Sequence, residues 1–440
     1  MKKAAVYVET YGCTLNQADS DMIKAILVNL GYSVTTLDEA EVIILNTCTV
    51  KGPTENKILE RIRKLETAKL KTMRASPASP PDASHPRAGN PKLVLAGCMA
   101  SNPQKIRMFT DAPIVWPGAI GRIGDAVEDA LCGQVTEYRE SMSKFDLPAV
   151  ITKPIVRIPI AEGCTGQCTF CQTKIARPGL RSFKQQTILN RISQGVRMGA
   201  REVQLTAMDT GAYGLDTGTD LISLLSCVNE IEGEFRVRLG MINPDHVLRM
   251  KQGLMNALKG ARMYKFFHVP VQSGSERICM DMGRKHTVSE FESIVSEFRA
   301  AIPEITIATD VIVGYPTESE DDFLQTLDLL GRVRPNVVNL SKFSPRFGTK
   351  AKELKQLDSK EVKRRSSEAN GFVKRICAEN NRELIGKEFD VLITEKKRGF
   401  TGRTMTYKQV VVKDFEGELG ELVKVKIKDT DHGSLFGKII

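Results

Sequence analysis

The sequence predicts an α/β protein built from three consecutive parts: an N-terminal parallel α/β domain, a central partial (β/α)6 barrel and a small C-terminal β-barrel. Over the first two parts, apolar strand-like runs alternate with amphipathic helical segments, a pattern typical of parallel sheets. The last part contains short alternating runs without helices between them, which is typical of a small barrel. The length of 440 residues exceeds the usual size of one domain and agrees with several.

The N-terminal domain, residues 1–140, is predicted from strands and helices that alternate along the chain. The predicted elements are a strand at Val6–Glu9, a helix from Asp19 to Leu30, a strand at Val42–Asn46, a helix from Thr54 to about Leu70, and a strand at Leu93–Ala96. A segment rich in proline, serine and alanine, at about residues 74–91, interrupts the domain. We expect a disordered surface loop there, because this composition cannot pack.

A cysteine ends each of the three predicted strands of this domain: Cys13, Cys48 and Cys98. The carboxyl ends of neighbouring parallel strands meet at one edge of a sheet. The sequence therefore predicts three thiols at one edge. The alternative is that they are unrelated core cysteines, which are common at strand ends.

The central region, residues 150–381, repeats the alternation of strand and helix. The strand-like runs are Val156–Ile160, Val203–Ala207, Arg236–Gly240, Phe266–Pro270, Thr306–Val313 and Val337–Ser341. Helical patterns such as Phe291–Arg299 separate most of them, and a basic helical stretch follows from Lys350 to about Asn381. Six such units predict a partial β/α barrel with its chemistry at the C-terminal ends of the strands.

The loop after the first barrel strand contains the spacing C-x3-C-x2-C, formed by Cys164, Cys168 and Cys171. Closed zinc and iron–sulfur sites normally take four protein ligands, so three thiolates indicate a metal centre with one open position. Zinc ribbons use paired C-x2-C knuckles, and the short cysteine runs of ferredoxins include a fourth cysteine. A zinc site or buried cysteines remain the alternatives.

Charge and hydropathy bear on the partners and the location expected of the protein. The net charge of +10 permits an anionic partner such as nucleic acid. No segment approaches membrane-spanning length and the N-terminus has no signal-like stretch, so we expect no membrane association and a cytoplasmic location. In that reducing compartment, scattered cysteines are more often metal ligands or buried hydrophobes than disulfides.

The cysteine loop resembles that of the radical S-adenosylmethionine (SAM) enzymes, including the aromatic Phe170 before the last cysteine. The resemblance implies that Cys164, Cys168 and Cys171 hold a [4Fe–4S] cluster whose open iron binds SAM. One electron then cleaves SAM to a 5′-deoxyadenosyl radical.

Over its whole length the chain resembles the methylthiotransferases of this superfamily. The segments that carry the resemblance are Glu9–Asn16, Asn46–Val50, Ala96–Met99 and Val269–Ser275. The resemblance implies that Cys13, Cys48 and Cys98 hold a second, auxiliary [4Fe–4S] cluster, which carries the sulfur to be donated.

Two further segments, Leu205–Gly214 and Arg238–Pro244, resemble the archaeal and eukaryotic branch, which modifies N6-threonylcarbamoyladenosine at position 37 of tRNA. The implied reaction replaces C2–H of the adenine with C2–SCH3, with SAM as methyl donor and radical source. An unactivated aromatic C–H has no useful acidity, so a cofactor-borne radical is needed. The alternatives are isopentenyladenosine of tRNA, an aspartate of a ribosomal protein, and a noncatalytic iron–sulfur or zinc RNA-binding protein.

The resemblance to radical SAM enzymes places SAM against the strand-end loops of the barrel. The candidate contacts are Asp209, Thr210, Ser273, Arg284 and Glu318. Each is also explained by an ordinary loop or capping role. The string Gly314–Glu318 departs from the usual pattern of the family by carrying Thr317.

Residues 382–440 resemble the TRAM domain, a small β-barrel that binds RNA. Lys396–Arg403 and the pair Tyr407 and Lys408 interleave cations with aromatic rings, as expected for phosphate contact and base stacking. An ordinary solvated basic hairpin is the alternative, and the basic helix around Lys363–Arg365 is a second candidate surface. The implied partners are the tRNA anticodon stem-loop, an external one-electron donor and a sulfur source.

Overall fold

The structure, a computed structural model, describes residues 3–50, 52–74, 91–141, 143–144, 146–396 and 399–440. Residues 75–90 of the predicted disordered loop lie outside this range, as do Lys397 and Arg398 of the predicted RNA-binding segment. The chain forms two compact units, Met1–Val150 with Cys171–Pro178, and Ile151–Phe170 with Gly179–Ile440.

The first unit contains a parallel sheet with the strand order β2-β1-β3-β4-β5-β6. Its strands are β1 Ala5–Thr10, β2 Ser33–Val34, β3 Val42–Thr47, β4 Lys92–Gly97, β5 Ile114–Val115 and β6 Glu137–Tyr138. Its helices are α1 Thr14–Asn29, α2 Gly52–Arg74, α3 Pro103–Arg107, α4 Ile123–Cys132 and α5 Thr173–Ala176, with 3-10 turns at Leu37–Glu39, Cys98–Ser101 and Pro117–Arg122.

Strand β3 lies inside this sheet, and every one of its residues is buried. Its Ile43 and Leu45 pack with Ile58 and Ile62 of helix α2. A parallel strand that is covered on both faces reads as a continuous apolar run, which is how the sequence revealed it.

Helix α1 begins at Thr14, five residues before the predicted start at Asp19. Cys13 takes the extended N-cap conformation, and its carbonyl accepts the first helical hydrogen bond from Gln17 N at 3.0 Å. The polar residues of this first turn, Asn16 among them, hid the helix from a reading based on apolar periodicity.

The second unit begins with parallel strands. They are β7 Ile155–Pro159, β10 Glu202–Thr206, β11 Arg236–Leu239, β12 Phe266–His268, β13 Thr306–Val313 and β14 Val337–Lys342, with a short antiparallel pair of β8 Ala161–Glu162 and β9 Arg181–Ser182. They form the sheets β11-β10-β7 and β12-β13-β14, and a parallel bridge from Val237 to Met263 joins β11 to the chain entering β12. The strands thus follow one another in chain order, as in a partial (β/α)6 barrel.

The helices between these strands are α6 Gln185–Arg197, α7 Leu221–Asn229, α8 Pro244–Lys259, α9 Glu276–Asp281, α10 Val288–Ala301 and α11 Glu320–Val333, with a 3-10 turn at Thr210–Ala212. Two more helices, α12 Lys350–Glu353 and α13 Ser359–Arg382, follow β14. The predicted continuous helical stretch from Lys350 is split in two. Leu354 is extended, and the Asp358 side chain accepts a hydrogen bond from Lys360 N at 2.7 Å, which starts α13 as a new helix.

The C-terminal segment forms a closed barrel with the order β15-β16-β17-β19-β18. Its strands are β15 Glu388–Lys396, β16 Phe400–Arg403, β17 Gln409–Val412, β18 Leu422–Thr430 and β19 Leu435–Ile439. Strand β19 was not predicted, because Gly437 in its middle weakens the strand pattern. It closes the barrel by pairing with both β17 and β18.

These strands and helices confirm the predicted α/β class with its parallel domains and small C-terminal barrel. Among the helices that the structure describes, none is long and apolar enough to cross a membrane.

Candidate metal centres and cofactor site

The N-terminal cysteines lie after three neighbouring strands of the first unit. Cys13 follows β1 and caps α1, Cys48 directly follows β3, and Cys98 directly follows β4. Because β1, β3 and β4 are adjacent and parallel, their carboxyl ends lie at the same edge of the sheet. The structure therefore brings these cysteines from distant parts of the sequence to one edge.

Two glycines allow the cysteine segments to approach each other closely. Gly12 has φ +112°, and a side-chain Cβ there would lie 2.7 Å from Cys48 Cβ and 2.9 Å from its Sγ. Gly97 has φ +90°, and a Cβ there would lie 2.3 Å from Asn46 Oδ1. Glycine is favoured at such positions, so the segments that carry Cys13 and Cys98 can each approach the end of β3 closely.

The three thiols lie within electrostatic range of one another. Burial raises the pKa of Cys98 to about 12, the nearby Arg177 guanidinium opposes that rise, and Cys13 and Cys48 add to it. In the metal-free protein Cys98 is therefore a neutral thiol. Metal binding at this position has to release its proton, because the ligand is the thiolate.

The second triad starts in the loop after β7. Cys164 and Cys168 belong to the second unit, whereas Cys171 begins the segment that is grouped with the first. All three are partly exposed. Gly166 N donates to Cys164 Sγ at 3.2 Å, and Arg284 Nη1 donates to Cys168 Sγ at 3.3 Å. Hydrogen bonds of this kind stabilise a thiolate and thus a cluster ligand.

Among the described residues, no group of three or more histidine, cysteine, aspartate or glutamate side chains is placed as it stands to hold a metal ion. Each cysteine side chain can rotate about χ1 into other staggered positions. The assignment of the six cysteines as cluster ligands stays a prediction. The gathered strand ends and the donors aimed at sulfur fit that assignment.

A chain of buried side chains supports the cysteine loop within the second unit. Asp209 is fully buried, and its carboxylate accepts from Asn243 Nδ2 at 2.6 Å and lies 3.4 Å from His246 Nε2. His246 Nε2 lies 3.3 Å from Thr165 Oγ1, and Asn243 Oδ1 accepts from Arg284 Nη2 at 2.7 Å. Burial raises the pKa of Asp209, and the neighbouring His246 and Asn243 oppose that rise.

This chain of contacts holds the loop at two points. One end reaches Thr165, which adjoins Cys164, and the other reaches Arg284, which touches Cys168. Asn243 and His246 were not among the predicted site residues. Asn243 stood inside a motif that carried the family resemblance, whereas His246 gave no signal, because its role depends on the partners it meets.

Two of the predicted SAM contacts are buried and bind protein groups. The Thr210 hydroxyl donates to the Met241 carbonyl at 3.0 Å. Ser273 Oγ lies 3.2 Å from Thr326 Oγ1, and neither Thr210 nor Ser273 is exposed to solvent. Both side chains support the loops at the strand ends, and their assignment as SAM contacts stays a prediction.

Glu318 is also buried, and Oε2 of its carboxylate accepts from Gly314 N at 2.7 Å and from Arg365 Nη1 at 2.8 Å. Burial raises the pKa of Glu318, and the hydrogen bond from Arg365 opposes that rise. The carboxylate thus fixes the loop that carries Thr317, the position where the sequence departs from the usual family pattern.

Several buried polar atoms at the strand ends have no hydrogen-bond partner among the described residues. They include His246 Nδ1, Gln272 Oε1 and Arg284 Nε. An unsatisfied buried polar group costs about 1–3 kcal/mol, so such atoms indicate a missing polar partner. The ammonium, carboxylate and hydroxyl groups of SAM offer partners of this kind, and the site fits that cofactor.

Tyr407 and Lys408 of the C-terminal barrel, the predicted RNA-contacting pair, contact protein groups in the structure. The Tyr407 ring packs against Tyr264 and Phe266, with centroid distances of 4.7 and 5.0 Å, and its hydroxyl donates to Glu202 at 3.2 Å. Lys408 is buried, and burial lowers its pKa to about 8. Tyr407 and Lys408 therefore serve packing here rather than offering a stacking surface.

The basic helix α13 carries less free charge than its sequence indicates. Arg364 forms ion pairs with Glu320, Glu361 and Glu368. Arg365 is buried against Glu318. Much of the positive charge around Lys363–Arg365 is thus neutralised within the protein.

A cavity of about 430 Å³ lies at the amino-terminal ends of the barrel strands β13 and β14. Its walls include Thr306 at the start of β13, Asn336 before β14, and Lys408. It is remote from the strand ends that carry the cysteine loop.

The comparisons with known proteins agree with this arrangement. Residues 158–330 match the Radical SAM superfamily, residues 382–440 match the TRAM domain, and residues 5–115 match the Uncharacterized protein family UPF0004. Among solved structures, the radical SAM methyltransferase TsrM from Kitasatospora setae is 11% identical, with a TM-score of 0.54 over 80% of this chain and 74% of that chain. The fold and the superfamily match define a radical SAM enzyme, a class that uses a [4Fe–4S] cluster and SAM.

Full-length relatives narrow the class to a family. The probable threonylcarbamoyladenosine tRNA methylthiotransferase of Methanothermobacter thermautotrophicus is 41% identical over 431 residues, covering 96% of this chain and 97% of that protein. The corresponding protein of Archaeoglobus fulgidus is 39% identical, covering 99% and 98%. The threonylcarbamoyladenosine tRNA methylthiotransferase of Drosophila melanogaster is 32% identical, covering 99% and 77%. The chain belongs to the threonylcarbamoyladenosine tRNA methylthiotransferase family, which confirms the predicted resemblance.

Proposed function

We propose that the chain methylthiolates C2 of N6-threonylcarbamoyladenosine at position 37 of tRNA, using two [4Fe–4S] clusters and SAM as both methyl donor and radical source. The observation that carries this proposal is the 41% identity, over 96% of the chain, to a relative named for this reaction. The match to a TRAM domain over residues 382–440 supports RNA as the partner.

In this proposal the two cysteine triads have separate tasks. Cys164, Cys168 and Cys171 hold the cluster whose open iron takes SAM, and Cys13, Cys48 and Cys98 hold the auxiliary cluster. The bound clusters and SAM supply the one-electron chemistry that replaces C2–H and the sulfur and methyl group that are transferred. The chain's own residues supply thiolates, orient the cofactor and exclude water.

The five candidate SAM contacts fall into two groups within this proposal. Arg284 touches Cys168 and has its Nε buried without a partner in the described part of the chain, so we assign it a direct contact with SAM. Asp209 acts on Arg284 through Asn243. Thr210, Ser273 and Glu318 stay candidate SAM contacts, and their bonds in the structure are to other parts of the second unit.

The reaction also defines its partners by chemistry. Cleavage of SAM consumes an electron, so an external one-electron donor is required. Repeated turnover removes sulfur, so a sulfur source has to restore it. The nucleic-acid partner is the anticodon stem-loop of tRNA, and the cytoplasmic location expected from the sequence stays a prediction.

An anaerobic assay tests this function directly. Reconstituted protein is incubated with SAM, dithionite and tRNA that carries threonylcarbamoyladenosine, and the nucleosides are analysed by mass spectrometry. We expect the 2-methylthio derivative in the wild type and in a Cys132→Ala control, which changes a cysteine outside both triads.

Parallel reactions test the alternative substrates. They contain tRNA with isopentenyladenosine, or a ribosomal-protein peptide with an aspartate. Cleavage of SAM without any change to threonylcarbamoyladenosine would overturn the proposed substrate. Failure to cleave SAM by an iron-loaded preparation would favour a noncatalytic RNA-binding protein.

A further inference from the structure

Asn16 lies fully buried in the first turn of α1 and connects two of the cysteine segments. Its Nδ2 donates to the Tyr11 carbonyl at 2.9 Å and to the Thr47 carbonyl at 2.7 Å. Tyr11 stands two residues before Cys13, and Thr47 directly precedes Cys48. One amide group therefore fixes the distance between the ends of β1 and β3.

The other side of the same amide reaches the third cysteine. Asn16 Oδ1 accepts from Cys98 Sγ at 3.6 Å and from Arg177 Nη2 at 3.0 Å. The side chain of Asn16 thus touches all three segments that carry the N-terminal triad.

Arg177 brings a buried positive charge to this place. Its side chain is 1% exposed and forms an ion pair with Asp19, which is equally buried. Lys144 Nζ binds the other oxygen of Asp19 at 2.8 Å. A buried charge is stable only when it is paired, so Asp19 fixes the guanidinium beside Cys98. Arg177 Nη2 and Cys98 Sγ contact the same oxygen of Asn16, so the guanidinium lies beside that sulfur.

A second contact of the segment that carries Arg177 supports its place beside the triad. Gln172 Oε1 accepts from Thr49 Oγ1 at 2.6 Å, and Gln172 Nε2 lies 3.4 Å from Ser101 Oγ. Thr49 follows Cys48 directly, and Ser101 Oγ donates to the Cys98 carbonyl at 2.8 Å. Residues 172–177 therefore bind the cysteine segments at several points.

We propose that Asn16 and Arg177 form a clasp of positioning residues for the auxiliary cluster. Asn16 sets the spacing of the three cysteine segments, and Arg177 stabilises the Cys98 thiolate when the cluster is bound. The inference rests on the proposed function, because it requires that the N-terminal triad holds a cluster.

The chemistry of the amide explains why a close substitute should fail. Asp in place of Asn16 would turn a donor that faces two carbonyl groups into an acceptor, and it would add a negative charge beside three thiolates. Ala would leave the two carbonyls without their partner. Gln in place of Arg177 keeps polarity but removes the charge next to Cys98.

The test uses the full chain with Cys164, Cys168 and Cys171 all changed to Ala, so that bound iron reports the N-terminal triad alone. Asn16→Asp, Arg177→Gln, Arg177→Lys and Arg107→Gln are introduced into this background. Arg107 is the matched control, because it donates to the Ala112 and Thr136 carbonyls within the same unit. Iron content, the electron paramagnetic resonance spectrum and the reduction potential are measured after anaerobic reconstitution.

We expect about four iron atoms per chain in the background and in Arg107→Gln. Asn16→Asp should hold roughly tenfold less iron at limiting iron, as is usual when a residue that orients metal ligands is changed. Arg177→Gln should keep its iron but show a more negative reduction potential, because a positive charge near the cluster favours the reduced form. Arg177→Lys should keep the reduction potential close to that of the background, because the lysine retains the positive charge.

Each outcome decides between the inference and the function on which it rests. A background without iron would overturn the auxiliary cluster and the clasp together. A loaded background in which Asn16→Asp keeps full iron and Arg177→Gln keeps the potential would overturn the clasp alone. Circular dichroism of the metal-free variants identifies any that fail to fold. If Asn16→Asp is one of them, the potentials of the two Arg177 variants decide.

Discussion

The two cysteine triads are held in different ways. Cys13, Cys48 and Cys98 come from three separate strand ends, and the buried amide of Asn16 touches all three segments. Cys164, Cys168 and Cys171 come from one short loop, which is supported at its edges through Thr165 and Arg284. A site built from separate strand ends needs a side chain that ties them together, whereas a contiguous loop needs only orientation.

The triads also differ in exposure. Cys48 and Cys98 are buried and Cys13 is exposed, whereas the three cysteines of the loop are all partly exposed. The loop is thus open to a soluble cofactor such as SAM. The first triad joins two buried thiols to one exposed thiol, so solvent reaches it at Cys13.

The largest expected effect separates the tasks of the triads. Cys168→Ala should reduce 5′-deoxyadenosine formation from SAM to below detection, because the cluster that activates SAM loses a ligand. Cys48→Ala should still cleave SAM but form no methylthiolated nucleoside. Chromatography with mass spectrometry measures both products in one reaction. Product formation by Cys48→Ala would break the division of labour between the triads.

Alkylation of the metal-free protein tests the difference in burial. With a pKa of about 12, Cys98 should react with iodoacetamide at pH 8 roughly a thousandfold more slowly in the folded than in the urea-unfolded chain. Its rate should keep rising with pH above 9, where the unfolded chain levels off, because the folded thiol is still protonated there. Peptide mass spectrometry follows the reaction, and equal rates in both states would contradict the assigned burial.

Substitution of Arg284 tests its proposed contact with SAM. Arg284→Gln should raise the KM for SAM roughly 10- to 100-fold, because charge-assisted hydrogen bonds contribute about 1.5–3 kcal/mol. The rate of 5′-deoxyadenosine formation against SAM concentration measures this change. Arg277→Gln is the control, since Arg277 binds the Asp322 carboxylate and the Thr317 carbonyl. An unchanged KM in Arg284→Gln would remove Arg284 from the SAM site.

The smallest expected effect lies in the C-terminal barrel. Tyr407→Phe should lower the free energy of unfolding by about 1 kcal/mol, because the hydroxyl loses its bond to Glu202. Affinity for tRNA and the iron content should stay within about twofold of the wild type, as for a residue whose ring is used in packing. Tyr138→Phe, which loses a bond to Asp129, is the matched control.

Urea unfolding and tRNA binding are measured on both tyrosine variants. A loss of tRNA affinity in Tyr407→Phe, without a loss of stability, would return this residue to the RNA-contacting role that its sequence context predicted.

Much of the fold was predictable from local patterns. The strands β13 and β3 stand out as apolar runs, and the capping boxes of α10 and α11, built on Thr287 and Ser319, are visible as short sequence signals. Strand β19 was missed because Gly437 interrupts its pattern. The start of α1 was missed because its polar residues face a site rather than solvent.

The candidate site was predictable only in part. A fixed spacing marks Cys164, Cys168 and Cys171, and strand ends mark the other three cysteines. The roles of Asn16 and His246 were invisible, because a buried polar residue is defined by partners that come from distant parts of the chain. Tyr407 and Lys408 looked like an RNA-binding pair for the same reason: the sequence does not show what they pack against.

The sequence by itself determined the family and the α/β class, and it predicted the six cysteines as cluster ligands, because spacing and periodicity are properties of short stretches of chain. Only the tertiary structure decided which strand ends become neighbours, that Asn16 and Arg177 meet at Cys98, and that Arg284 meets Cys168. These contacts depend on the path of the whole backbone. Burial then sets their strength, since a hydrogen bond or ion pair away from water holds its partners more firmly than one at the surface.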